Sequence, residues 1–302
     1  MSMALDDDTT EKVETDDNAR KLASDERRES LRHFAFAFPV FLIIVCLVFG
    51  PVGWLFGLSF VQDGQFSLVH YERLLSGAYV AIFTQTFQVS LTVTALAILL
   101  GYPLAYLMSQ SSQKLANIIL LSVMVPFWTS LLVRTYAWMI LLQRRGIVND
   151  TLISLGIIDT PLRLVNNMTG TIIGMLHVML PFMILPLYAS LKQVDTTYLR
   201  AASSLGASPV RAYWSVFFPL SLPGVFAGAI LVFVLSLGFY VTPALLGGGR
   251  VIMVSMKIQQ NAAMYFDWGA ASALGVVLLA ITVLLFAVMN RFVRIERMFG
   301  GS

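Results

Sequence analysis

Residues 198–219 read YLRAASSLGASPVRAYWSVFFP. They form the most polar long interruption in the second half of a very apolar chain, and the apolar runs on both sides are long enough to cross a bilayer. The composition is wrong for a plain connector. Ala201-Ala202-Ser203-Ser204-Leu205 favours a short helix with a small-residue face, and Gly206 can take the positive φ that ends it. Ser208 or Pro209 can open a second helix, with Pro near the first turn, where its missing N–H costs nothing. Pro219 is expected to end that helix before the next apolar run. Such a helix–turn–helix block is built to seat in a partner; an ordinary amphipathic interfacial loop is the blander reading.

Composition settles the class around this block. Of 302 residues, 57% are hydrophobic and only 12% charged. Soluble domains carry about a quarter charged residues, so this is a polytopic membrane protein. Charge is also uneven. Residues 1–30 hold ten of the 17 acids but five of the 20 basic residues. An acidic tail therefore precedes a cationic body, and that basic excess reads as membrane topology rather than nucleic-acid affinity. Residues 1–33 lack the short apolar run of a signal peptide and have too few large apolar side chains to offset ordering entropy, so they are expected to be a disordered tail. The single cysteine, Cys46, permits no internal disulfide and reads as a small membrane-facing hydrophobe.

Six apolar runs follow, at about 34–60, 80–108, 115–142, 169–191, 224–246 and 269–290. Pro126, Pro181, Pro186 and Pro243 interrupt them, which membrane helices tolerate when neighbours satisfy the freed carbonyls. With both termini cytoplasmic, the inner pieces 1–33, 109–114, 192–223 and 291–302 carry 13 Lys and Arg against six in the outer loops. The positive-inside rule favours that orientation and puts residues 198–219, within a loop at 192–222, on the cytoplasmic face. Outside, 146–159 has apolar residues at helical spacing after Asn149 and Asp150, either of which could cap a surface helix. Tyr265, Phe266 and Trp268 belong at a membrane interface.

The chain offers no catalytic or metal-binding constellation. His33, His70 and His177 fall in separate segments, and the glycines 247–249 lack the Lys-Ser/Thr of a phosphate loop, so ATP is not hydrolysed here. No run contains Asp or Glu, which argues against an ion-coupled secondary carrier or channel working alone. A scaffold or anchor would need few spans. Energy is then supplied in trans. Arg134 is the one intramembrane charge: a gate residue, or more simply a structural Arg bonded to carbonyls or to an outer carboxylate such as Asp150 or Asp159. His177 reads as a satisfied core histidine. Tyr136, Trp138 and Tyr240 could line a path by cation–π contacts, although packing is the commoner use of such rings.

Arg200-Ala201-Ala202, Gly206 and Val216-Phe217-Phe218-Pro219 match the spacing of the "EAA" signature of ABC importer permeases: Glu-Ala-Ala, three residues, Gly, nine residues, Ile-x-Leu-Pro. Together with VPFWTSLLVRTYAWMILL at 125–142, LPFMILPLYASL at 180–191 and LLGGG at 245–249, the chain resembles the first permease subunit of spermidine/putrescine importers across roughly 35–292. The resemblance implies an all-α type I importer permease fold of six transmembrane helices in a bacterial inner membrane. It also implies a second related permease, two ATPases that hold the ATP-Mg, an extracytoplasmic binding protein and a small-molecule cargo such as a polyamine. Arg200, Ala201, Ala202, Gly206, Ala207 and Pro219 fall on the ATPase-coupling loop. Two positions depart from the pattern: the signature Glu is Arg200, and the Leu before the final proline is Phe218.

Overall fold

A computed structural model describes residues 38–292. The tails at 1–33 and 293–302 lie outside the described residues. The chain divides into residues 1–58 and 59–302. The described part of the first unit is one helix, α1 (Phe38–Leu58), with Cys46 exposed on it.

The second unit opens on a two-residue hairpin, β1 (Val61–Gln62) with β2 (Gln65–Phe66), an element the all-α expectation omits. Asp63 and Gly64 turn it, both at positive φ, the geometry that Asp-Gly supplies for tight hairpins. Helices α2 (Val69–Leu74), α3 (Gly77–Gln110) and α4 (Gln113–Met124) follow, then α5 (Leu131–Leu141), α6 (Ile147–Ser154), α7 (Met168–Lys192), α8 (Thr196–Ser204), α9 (Pro209–Ala212) and α10 (Phe218–Leu237). Helices α11 (Val241–Leu246), α12 (Val254–Ala263) and α13 (Trp268–Phe292) complete it. Among the described residues, five helices are long and apolar enough to cross a membrane: α1, α3, α7, the continuous α9–α10 rod and α13. A bent α4–α5 pair is a sixth if taken as one span.

Three expected segments differ. Residues 115–142 are not one rod, because α4 and α5 meet at 99°. Val125–Trp128 tighten into a 3₁₀ turn around Pro126, and Thr129 and Ser130 are extended, so no helical hydrogen bond spans the corner. The run 224–246 stops at Leu237: Gly238 caps it, and the Phe239 carbonyl accepts from Ser255 Oγ at 2.7 Å instead of continuing the ladder. The break is thus at Gly238–Tyr240 and not at Pro243, which lies inside α11. Helix α6 is capped by Gly146, not by Asn149 or Asp150. Asn149 is committed elsewhere, donating to the Gln143 and Leu162 carbonyls and accepting from Leu162 N–H at 2.8–3.0 Å.

The core sits where α3, α7 and α10 cross. Lipid tails are as apolar as Leu, so close packing of small residues does most of the work of association. Gly228 lies on the Met183 backbone, where an added Cβ would stand 2.7 Å from Met183 Sδ and 3.2 Å from its carbonyl oxygen. A Cβ on Gly224 would collide with Ser190, and one on Gly101 with Met183. Val93, Ala97, Met179, Met183, Leu187 and Val232 fill the interior. Outside this core, Gln85 of α3 accepts from Ile252 N–H and donates to the Arg250 carbonyl, which ties the segment after Gly247-Gly248-Gly249 to the bundle.

Candidate functional site: a capped helix pair on an aromatic strut

Residues 195–217 fold as a short rigid unit because each end of each helix is closed locally. Asp195 Oδ1 accepts from Thr197 N–H at 2.8 Å and caps α8. That bond, with Thr197's side chain and the nearby Arg200 charge, holds the Asp195 carboxyl below the usual carboxylate range. At the other end Gly206 adopts φ +86°. Ala207 N–H donates to the Ala202 carbonyl and Gly206 N–H to the Ser203 carbonyl, both at 3.0 Å, which together form a complete Schellman turn. A Cβ at Gly206 would touch nothing within 4 Å, so backbone conformation alone demands glycine there. Ser208 Oγ accepts from Arg211 N–H at 3.4 Å, with Pro209 at the first helical position.

Pro219 does not end the second helix. Tyr213–Phe217 form a π turn, in which Phe218 N–H reaches back five residues to the Tyr213 carbonyl. The wide turn moves carbonyls away from the pyrrolidine ring, and the helix runs unbroken from Pro209 to Leu237. The block is therefore continuous with a membrane-length helix.

Aromatic rings join it to a second one. Tyr106 of α3 meets Tyr213 and Phe217 edge to face at 5.5 and 5.2 Å, and Tyr213 stacks on Phe217 at 5.8 Å. Phe217 is buried. One turn up, Ser221 Oγ donates to the Phe218 carbonyl, so the Tyr102 hydroxyl donates to Ser221 Oγ at 2.9 Å. Sequence reasoning missed these rings. The available signal was paired i,i+4 spacing, 102 with 106 and 213 with 217, facing across a tertiary contact no sequence pattern announces.

The outer surface of the block is apolar at its tip. Leu205 is 89% exposed, Val210 68% and Trp214 59%. Arg200, Ala201, Gly206 and Pro219 are exposed, while Ala202 and Ala207 are half-buried.

Of the candidate membrane residues, the structure joins Trp138 to His177. Trp138 Nε1–H donates to His177 Nδ1 at 3.1 Å, with the rings T-shaped at 5.7 Å. Indole N–H only donates, so His177 carries its proton on Nε2. Arg134 lies one turn from Trp138 on α5. No ion pair joins it to Asp150 or Asp159, and its buried Nε has no hydrogen-bond partner among the described residues. Tyr136 and Tyr240 are exposed at 51% and 38% and do not join the Trp138–His177 pair.

Residues 97–295 match the family model described as binding-protein-dependent transport system inner membrane component. The chain is 32% identical over 259 residues to the spermidine/putrescine transport system permease protein PotB of Escherichia coli (strain K12), covering 83% of this chain and 94% of that protein. It is 31% identical over 211 residues to the inner membrane ABC transporter permease protein YdcU of the same organism, covering 66% of this chain and 67% of that one. In fold it is similar to a chain of a bacterial ABC transporter involved in the import of the acidic polysaccharide alginate. That match has a TM-score of 0.65 at 17% identity and covers 90% of this chain and 99% of that one.

Proposed function

The chain belongs to the family of binding-protein-dependent transport system inner membrane components, and from that membership we propose that it forms half of the translocation path of an ABC importer. It pairs with a second, homologous permease. A dimer of ATPase subunits, which binds the ATP-Mg, docks on residues 195–217, and an extracytoplasmic binding protein delivers cargo to the opposite face. Both termini and the capped helix pair are cytoplasmic, in keeping with 13 Lys and Arg on that side against six on the other.

One observation carries this reading: a block rigidified by caps at Asp195, Gly206 and Ser208, with Leu205 uncovered at its tip, is continuous with the Pro209–Leu237 membrane helix. A partner that closes on the block moves a span. Arg200, Ala201, Ala202, Gly206, Ala207 and Pro219 contribute its surface and turn. The chain itself performs no catalysis; its contribution is the path and the lever.

The relatives' names favour a polyamine or related small amine as cargo. The absence of Asp and Glu from the six apolar runs supports a second reading, a non-polyamine small solute such as an opine, phosphonate or oxyanion. Tyr136, Trp138, Tyr240 and Arg134 are the candidate path residues, with Arg134 either gate or structural. The test is reconstitution with the neighbouring subunits in proteoliposomes. ATP-dependent, receptor-dependent uptake supports the assignment, whereas uptake by the isolated chain on an ion gradient would sink it.

A further inference from the structure

The segment between α5 and α7, assigned above to the outer face, holds three of the six Lys and Arg counted on that side: Arg144, Arg145 and Arg163. Basic residues are biased to the inner side, so their gathering here needs its own cause. Arg144 and Arg163 line one cavity of about 170 Å³, together with Leu142, Leu164, Val165 and Asn166. Arg145 does not line it, and neither do Asp150 and Asp159, the two acids of the segment. Among the described residues, neither the Arg144 nor the Arg163 guanidinium has a hydrogen-bond or ion-pair partner.

One buried side chain brings the two arginines to the same cavity. Asn149 donates to the Gln143 carbonyl at 2.9 Å and to the Leu162 carbonyl at 3.0 Å, and accepts from Leu162 N–H at 2.8 Å. Gln143 and Leu162 immediately precede Arg144 and Arg163, so this clamp fixes the backbone that carries both cations. The wall at Asn166 is fixed from the end of α11. There Asn167 N–H donates to the Leu246 carbonyl at 3.2 Å, and a Cβ on Gly248 would collide with Asn166. Two cations held on a rigid backbone at one cavity repel each other unless an anion joins them.

Depth in the membrane narrows the choice of anion. Asn167 caps α7, whose 25 residues rise about 37 Å, somewhat more than the hydrocarbon core of about 30 Å. Residues 163–166, just before that cap, therefore stand where a spanning helix enters the headgroup layer. In the same segment Ile147, Leu155 and Ile157 are 67%, 67% and 64% exposed, an arrangement that acyl chains favour and water does not. From the cavity, its paired cations and this depth we propose that Arg144 and Arg163 bind the phosphate of an anionic phospholipid in the leaflet on that face. Each guanidinium presents a fork of N–H donors that matches phosphate oxygens, so a pair of them selects phosphate by shape as well as charge. A carboxylate on a soluble protein would satisfy the same charges, but such a partner arrives above the headgroups, and the start of α7 sets this cavity among them.

The experiment titrates the full chain, purified in detergent and stripped of lipid, with phosphatidylglycerol or phosphatidylcholine, and counts bound lipid by native mass spectrometry. Wild type should prefer phosphatidylglycerol, and Arg144→Gln and Arg163→Gln should each weaken that binding about fivefold. Arg145→Gln should leave it unchanged. Asn149→Ala keeps both cations but releases the clamp, and should weaken phosphatidylglycerol binding as well. Equal losses in Arg144→Gln and Arg145→Gln overturn the site, because net charge alone then accounts for binding. Equal affinity of wild type for the two lipids overturns it too. Displacement of the lipid by an equal concentration of inorganic phosphate overturns the lipid in favour of a small anion. If the double variant Arg144→Gln/Arg163→Gln keeps the lipid preference but loses receptor-stimulated ATP hydrolysis in the assembled importer, the cavity belongs to a protein carboxylate and the proposal falls.

Discussion

Tyr106 of α3 meets Tyr213, in the π turn that follows the capped helix pair, edge to face with ring centroids 5.5 Å apart. Because Tyr213 lies within the continuous Pro209–Leu237 rod, a displacement of α9 would reach two membrane-length helices at once. An edge-to-face pair is worth about 0.5–1.5 kcal/mol beyond its buried area. Tyr106→Leu should keep the assembled importer intact yet reduce the stimulation of ATP hydrolysis by receptor several-fold, while Tyr106→Phe should match wild type. The ratio of stimulated to basal hydrolysis is the readout.

Gly206 stands at φ +86° in open space. A β-branched residue there strains the backbone without meeting a neighbour, at a cost of about 1–2 kcal/mol. Gly206→Val is expected to weaken coupling strongly and Gly206→Asn, which tolerates that conformation, only slightly. Equal loss in both variants would show that bulk at the turn, not its φ, is what matters.

Asp195 caps α8, and its carboxyl is held below the usual range by the Thr197 backbone bond, then by Thr197's side chain and Arg200. A depressed folded value means the cap contributes fully above the ordinary Asp pKa of about 4 and is lost as pH falls through the lowered value. Amide exchange at 197–200, compared between wild type and Asp195→Asn, should therefore keep a constant ratio from about pH 5 to 8. Asp195→Ala should exchange faster throughout.

Gly228 rests on the Met183 backbone, with 3.2 Å from its built Cβ to the Met183 carbonyl oxygen. Gly228→Ala should cost about 1–3 kcal/mol as overpacking and lower the unfolding temperature in detergent. Gly275→Ala, where a Cβ meets nothing within 4 Å, is the control and should not.

Trp138→Phe removes the donor to His177 Nδ1. About 1 kcal/mol of helix–helix attachment should go with it. Nitrogen NMR of labelled His177 should show the Nε2–H tautomer in wild type and a mixed population in the variant. An unchanged tautomer would mean that another group fixes the ring.

The helix pair was readable because its determinants are local. Gly before Ala207 and Ser before Pro209 specify a stop and a start whatever lies around them. The ends of the neighbouring spans were not readable in the same way. Pro219 signals a helix end locally, yet the π turn at 213–217 lets the helix pass through it. The apolar run 115–142 looks uniform, yet Pro126 and the extended Thr129–Ser130 pair bend it by 99°. Of the partners expected for Arg134, carbonyls or an outer carboxylate, Asp150 and Asp159 do not pair with it, since nearness in the chain says nothing about which face α5 turns.

By itself the sequence determined the membrane class, the apolar runs, the family resemblance and the stop and start of the helix pair at 195–217, because each depends on composition or on spacings within about twenty residues. Only the tertiary structure decided that the block is one piece with α10, that Tyr106 braces it from α3, and that Trp138 fixes the proton of His177. Those relationships join residues 39 or more positions apart, or depend on where a backbone ladder shifts by one residue, and both are set by packing rather than by local preference.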